Sequence, residues 1–145
     1  MSHWQSLLER IRDGDHDVPP GIETTRLNVR VDDALTWSPG VIRRRWSIGP
    51  WAFNKDGTVF GGLIAALADQ MTSFAAFTIL GDDEASRTAS LQVDYFRPVV
   101  GSYVDVEARI VNRSRRLIHA ETEITRDDGK IAAHARAVLA IVPFS

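Results

Sequence analysis

Residues 58–80 read TVFGGLIAALADQMTSFAAFTIL, and the reading of this stretch decides the fold. It is too long for a strand and rich in Ala and Leu, so it predicts a helix from Thr58 to Leu80. Gly81 and the acidic run Asp82-Asp83-Glu84 end it. The segment is apolar on nearly every side, yet it carries Asp69, Gln70, Thr72 and Ser73 at its centre and has no basic flanks. A charged residue at the centre of a bilayer costs several kcal/mol, so the stretch reads as a buried helix rather than a membrane span.

Downstream, everything reads as strand. Ala89, Leu91, Val93 and Tyr95 alternate with polar residues, as do Val104, Val106, Ala108 and Ile110. Ile118, Ala120, Thr122 and Ile124 alternate with His119, Glu121 and Glu123, and Asp127-Asp128-Gly129 is a hairpin signal leading into a last strand over Ile131–Val142. Four strands with turn signals between them predict an antiparallel meander. Upstream, Val41 to Ile48 predicts a strand with Arg43 and Arg45 on one face, and Thr24 to Val31 a weaker one. Asp13 to Gly21, with Pro19, Pro20 and three Asp, reads as a linker behind an amphipathic helix carrying Trp4, Leu7, Leu8 and Ile11. One apolar helix and one antiparallel sheet make an α+β domain. A sheet covers only one side of a helix, so sheet curvature or a partner subunit must cover the rest, and oligomerisation is expected.

The 145 residues fit one domain, 1–145, with 1–20 as N-terminal helix and linker. The charge balance of 17 basic to 19 acidic residues excludes the strongly basic surface of a nucleic-acid binder. There is no Cys, hence no disulfide framework and no cysteine nucleophile. The first residues lack the apolar core of a targeting signal, which leaves a cytoplasmic location as the expectation. No Gly-x-Ser-x-Gly elbow and no phosphate-binding glycine loop occurs, which disfavours serine-hydrolase and nucleotide chemistry.

Asp69 stands out chemically. A buried, unpaired carboxylate is expensive, so Asp69 is a catalytic base or nucleophile, a structural partner for Arg or Lys, or a sign that this helix face reaches water. Gly61-Gly62 opens the same helix, where free N–H groups can bind an oxyanion and glycines also permit close packing. Eight residues separate Gly61 from Asp69, roughly 12 Å along a helix. One chain therefore cannot bring both to one reacting carbon, and a two-fold dimer could. Arg113, Arg115 and Arg116 cluster at a predicted turn and suit phosphates or plain solvation equally. Arg43, Arg44 and Arg45 alternate between faces. His119 and His134 lack metal-ligand spacing, so no metal is expected. Trp46, Trp51 and Phe53 precede the glycine pair and suit packing or an acyl-pocket wall.

Asn54-Lys-Asp-Gly-Thr-Val-Phe60-Gly61-Gly62, followed after seven residues by Asp69, resembles the hotdog-fold acyl-CoA thioesterases of the phenylacetyl-CoA thioesterase type. Thr88 to Pro98 (TASLQVDYFRP) is similar to their strand after the helix, and Asp128-Gly129-Lys130-Ile131-Ala132 to their last hairpin. The resemblance spans about residues 41–142. It implies a hotdog fold, a long central helix wrapped by a curved antiparallel sheet. It also implies a homodimer, often paired into a homotetramer. By the same resemblance Asp69 matches the catalytic carboxylate, the Gly61 N–H the group that polarises the thioester carbonyl, and Asn54 a residue that orients the carbonyl or the water. Thr88 falls where the family places a hydroxyl near the attacking water, and Ser73 matches a hydroxyl of the related hydroxybenzoyl-CoA group. The family's His before Gly-Gly is Phe60 here, and Phe donates no hydrogen bond. Phe60 beside Gly62 can line an acyl pocket, although core packing is the commoner use.

The expected activity is hydrolysis of an acyl-CoA or aryl-CoA thioester. The partner is the acyl-CoA substrate, coenzyme A being part of it, with no separate cofactor, nucleic acid or membrane. A non-catalytic acyl-CoA-binding hotdog and an enoyl-CoA hydratase-like hotdog are the alternatives. The hydratase needs a His, such as His119 or His134, close to Asp69 in space.

Overall fold

A computed structural model describes residues 1–19, 21, 26–27 and 35–145. Among these, α1 spans His3–Arg12, β1 Thr36–Ser38, β2 Val41–Ser47, α2 Gly61–Phe77, β3 Glu84–Tyr95, β4 Tyr103–Arg113, β5 Leu117–Arg126 and β6 Ile131–Pro143. The strand expected over 24–31 lies outside the described residues, apart from Arg26 and Leu27 in a bend.

The strands form one antiparallel sheet in the order β1-β2-β4-β5-β6-β3, and α2 packs against every strand from β2 to β6. Alternation builds the inner face. Ile42, Arg44 and Trp46 of β2 are buried, while Arg43 and Arg45 point out to pair with Glu107 and Asp105. Val104, Val106, Ala108 and Ile124 continue that inner face and cluster with Ile64, Leu67, Ala68 and Met71 of the helix, while Ile118 and Ala120 cluster with Ala76 and Leu80 at its far end. Arg44 is buried against α2, its Nη1 donating to Gln70 Oε1 at 2.8 Å.

Two expectations change. The helix is shorter than residues 58–80. Val59 is drawn into extended backbone by a bridge to Phe53, and its N–H donates to Val99 O. At the other end Thr78 caps, its hydroxyl donating to Ala75 O. The meander holds for β4-β5-β6 alone, because β3 pairs with β6 and forms the far edge. The connection 96–102 returns from that edge to β4. It crosses three strand spacings, roughly 14 Å, well within what seven residues can reach.

The uncovered side of α2 is partly closed by α1. Ser2 and Gln5 form a capping box that starts α1. Trp4 then stacks on Phe77 at 4.6 Å and donates to Glu84 O at 2.6 Å, and Leu8 is fully buried. This covers the C-terminal end of α2. No described helix is long and apolar enough to cross a membrane.

Candidate active site

Asp69 lies on the α2 face that α1 leaves open. It lines a groove of about 270 Å³ with Ala66, Gln70, Ser73, Phe74 and Phe77, residues at helical spacing along one stripe, and with Leu27. Asp69 is half-buried rather than sunk in the core, and it is paired: the Thr88 hydroxyl donates to its Oδ1 at 2.9 Å. The helix face at Asp69 thus reaches the surface, one of the readings open from the sequence. Ser73, one turn on, faces the same groove.

Thr88 reaches Asp69 because of an irregularity in β3. Counting back from Tyr95 by twos gives Val93, Leu91 and Ala89, which would place Thr88 on the outer face. The β3–β6 register instead pairs Thr88 with Leu139 and Ser90 with Val138, leaving Ala89 as an extra residue. This bulge shifts the phase, so Thr88, Leu91, Val93 and Tyr95 all oppose the buried inner residues Leu139, Ala137, Ala135 and Ala133.

The helix start is the second half of the site. Phe60 occupies the cap position with ψ 125° and no side-chain cap bond, so the first N–H groups of α2 receive no side-chain cap from it. Phe60 is 57% exposed, so the core-packing reading of it is wrong. Its ring folds back toward Gly62, where a Cβ would lie 2.5 Å from Phe60 Cε1. Tyr95 stands beside Gly61 and donates its hydroxyl to Gly61 O at 2.6 Å. Burial pushes the Tyr95 phenol up from its ordinary pKa, so it stays a donor. The sequence reading missed Tyr95 as a site residue. It read only as an inward strand position, and nothing local marks the contact with a helix start 34 residues away.

Asn54 is exposed in the loop before α2. That loop is fixed by Asn54 N–H donating to Thr58 O, by Gly57 in the left-handed region at φ 80°, and by Thr58 donating twice to Asp56 Oδ1. These bonds from Thr58, the hydroxyl first and then the backbone N–H, hold the Asp56 carboxyl below its usual range. The helix runs unbroken from Gly61 to Phe77, so Gly61 and Asp69 stay about 12 Å apart within one chain.

The arginine expectation divides. Arg113 is the last residue of β4 and its guanidinium is engaged: Nη2 donates to both carboxylate oxygens of Glu84 at 2.5 and 2.7 Å, and Nη1 to Ile79 O. It ties the end of α2 to the start of β3 and is withdrawn from the phosphate-binding candidates. Arg115 and Arg116 remain exposed on the β4–β5 hairpin. Trp46 is buried in the core and Trp51 is 46% exposed beside it. His119 and His134 alternate with the buried residues Ile118, Ala120, Ala133 and Ala135, so they stand on the sheet face away from Asp69.

The thioesterase superfamily profile matches residues 56–133, from the site loop to the start of β6. No curated protein sequence matches the chain. Among solved structures, a conserved protein of Pseudomonas aeruginosa is 26% identical, with a TM-score of 0.69 over 74% of this chain and 86% of that one. A phenylacetic acid degradation-related protein of Ralstonia eutropha superposes with a TM-score of 0.78 over 96% of this chain and 99% of its own, at 20% identity. A hypothetical thioesterase of Streptococcus pneumoniae, in a structure with coenzyme A, is 15% identical with a TM-score of 0.69, covering 74% of this chain and 83% of that one. With more than half of its length matched by the family profile, a helix wrapped by a six-stranded antiparallel sheet, and these neighbours, the chain is a hotdog-fold member of the thioesterase superfamily.

Proposed function

We propose that this protein hydrolyses the thioester of an acyl-CoA or aryl-CoA, releasing the free acid and coenzyme A. The observation that carries the reading is the Asp69–Thr88 pair in an open groove on α2, within a chain of this superfamily. Thr88 engages Oδ1 of Asp69, which leaves Oδ2 to take a proton from water or to attack the thioester carbon itself. The uncapped N–H of Gly61 receives the developing oxyanion. The bond from carbon to sulfur then breaks, and coenzyme A leaves as a thiolate, a good leaving group that needs no strong general acid; where Asp69 has attacked directly, water then hydrolyses the acyl–Asp69 anhydride to release the acid and restore the carboxylate. Asn54 orients the carbonyl or the water. Phe60, Gly62 and Ser73 border the acyl group. Arg115 and Arg116 are the cations that meet the phosphates of the coenzyme.

Because Gly61 and Asp69 are fixed about 12 Å apart on one helix, the working site combines Gly61 of one subunit with Asp69 of the partner subunit. The unit is a homodimer, able to pair into a homotetramer. An edge strand of twelve residues, β3, is available for that pairing, with Thr88 near its middle and Tyr95 at its end. The hydratase alternative is disfavoured by His119 and His134 standing on the far face of the sheet.

The test is thiol release from a panel of short, long and aromatic acyl-CoAs. Asp69→Ala is expected to lose about 10³-fold in kcat, within the range for removing a positioned acid–base group. An Asp69→Ala protein that hydrolyses the panel as the wild type does would sink the assignment. Tight acyl-CoA binding by the wild type without thiol release would favour a non-catalytic carrier.

A further inference from the structure

We infer that Tyr95 is a positioning residue for the oxyanion site, acting through the Gly61–Gly62 peptide; this rests on the thioester-hydrolysis reading above. Two consecutive glycines begin α2, and glycine is the residue with most backbone freedom to lose. The residue before them, Phe60, has no side-chain acceptor with which to cap the turn. The start of α2 is thus the least self-organised part of the helix, and it is the part from which the N–H donors must point. Tyr95 supplies a restraint from another element. Its hydroxyl donates to Gly61 O at 2.6 Å, and its ring lies 3.6 Å from where a Gly61 Cβ would be.

The carbonyl of Gly61 and the N–H of Gly62 belong to one planar peptide, so holding the first fixes the direction of the second. A donor on the carbonyl also polarises the whole peptide, which strengthens its N–H as a donor. The Gly61 N–H lies in the preceding peptide, whose Phe60 carbonyl already accepts from the Leu63 and Ile64 N–H groups, so the bond from Tyr95 acts on the Gly62 N–H, the second donor of the helix start. Tyr95 itself sits on β3, whose pairing with β6 across the sheet sets its position independently of the glycines. It does not touch the reacting atoms. Its effect is to reduce the range of directions the donors sample before substrate arrives.

Tyr95→Phe removes the hydroxyl and keeps the ring, which makes it the informative variant. The expected result is a fall in kcat of roughly ten-fold, smaller than the roughly hundred-fold loss typical when an oxyanion donor itself is deleted. KM and the melting temperature should stay near wild type. A purely structural role would lower the melting temperature and spare kcat. In ¹⁵N relaxation, the order parameter of the Gly62 N–H should drop in Tyr95→Phe and remain unchanged at residues in the middle of α2. If the wild type hydrolyses acyl-CoA, Asp69→Ala does not, and Tyr95→Phe matches the wild type in kcat, the inference about Tyr95 is overturned while the proposed function stands. If the wild type releases no thiol, the proposed function falls, and equal order parameters in the two proteins would overturn the clamp as well.

Discussion

Glu84 shows how much one carboxylate can organise at the residue scale. Its Oε2 accepts from the Gly81 N–H at 2.9 Å, both oxygens accept from Arg113, and its backbone carbonyl accepts from Trp4. The Gly81 N–H first, and Arg113 second, hold its carboxyl below the ordinary value of 4.5. A carboxylate whose pKa is lowered by folding stabilises the folded chain above the unfolded pKa and loses that contribution as pH falls through the folded one. Glu84→Gln should therefore melt below wild type at pH 7, with the gap closing once pH drops below about 4.5. Thermal melts of the two proteins from pH 7 to pH 3 measure this, and a gap independent of pH would refute it. Residues of this kind differ in how legible they are. Asp69 could be read because a carboxylate amid Ala and Leu is costly and so stands out. Arg113 could not, because its partners Ile79 and Glu84 are about thirty residues away and nothing in the turn composition signals them.

Among the elements, α1 does what the sequence left to sheet curvature or a partner. The apolar surplus of α2 was legible; that ten residues from the N-terminus would close one end of it was not. Amphipathic spacing says that a helix has a face to bury, and it does not say against what. Trp4 is the anchor: it stacks on Phe77 and lies 5.0 Å from Phe144. Truncating it to Ala should cost about 2 kcal/mol, less than a fully buried Trp because Trp4 is half-buried. For a chain of this size that lowers the melting temperature by roughly 4–8 °C. Calorimetry of Trp4→Ala checks it, and an unchanged melting temperature would mean that α1 docks without contributing to stability. The β3 bulge is the element that pattern reading could not find. Strict alternation turns Thr88 outward, and one extra residue at Ala89 turns it to Asp69. Alternation is a rule of period two, and a single inserted residue reverses everything beyond it without leaving a compositional trace.

For the whole molecule, the question is where one active site ends and the next begins. The α+β class followed from the length and Ala- and Leu-rich composition of the central helix together with the alternation of the strands after it. The order of strands did not, because hairpin signals predict neighbours only where connections are tight, and the connection 96–102 is a crossing. A mixed dimer settles whether the site is shared. Gly61→Pro removes the N–H assigned to the oxyanion while suiting the first position of a helix. Phe60, at ψ 125°, already has the extended backbone required before a proline. Asp69→Ala and Gly61→Pro should each be inactive alone. When the two are unfolded and refolded together, half of the dimers carry one chain of each kind. In those, intact Gly61 of the first chain meets intact Asp69 of the second, so one of the two sites is whole. Random pairing of two equal populations then restores about a quarter of wild-type activity. A site contained within one chain would stay dead in every combination, because each chain lacks one of its two groups. Recovery of thiol release on mixing thus separates the shared site from the self-contained one, and its absence would overturn the sharing of Gly61 and Asp69 between subunits.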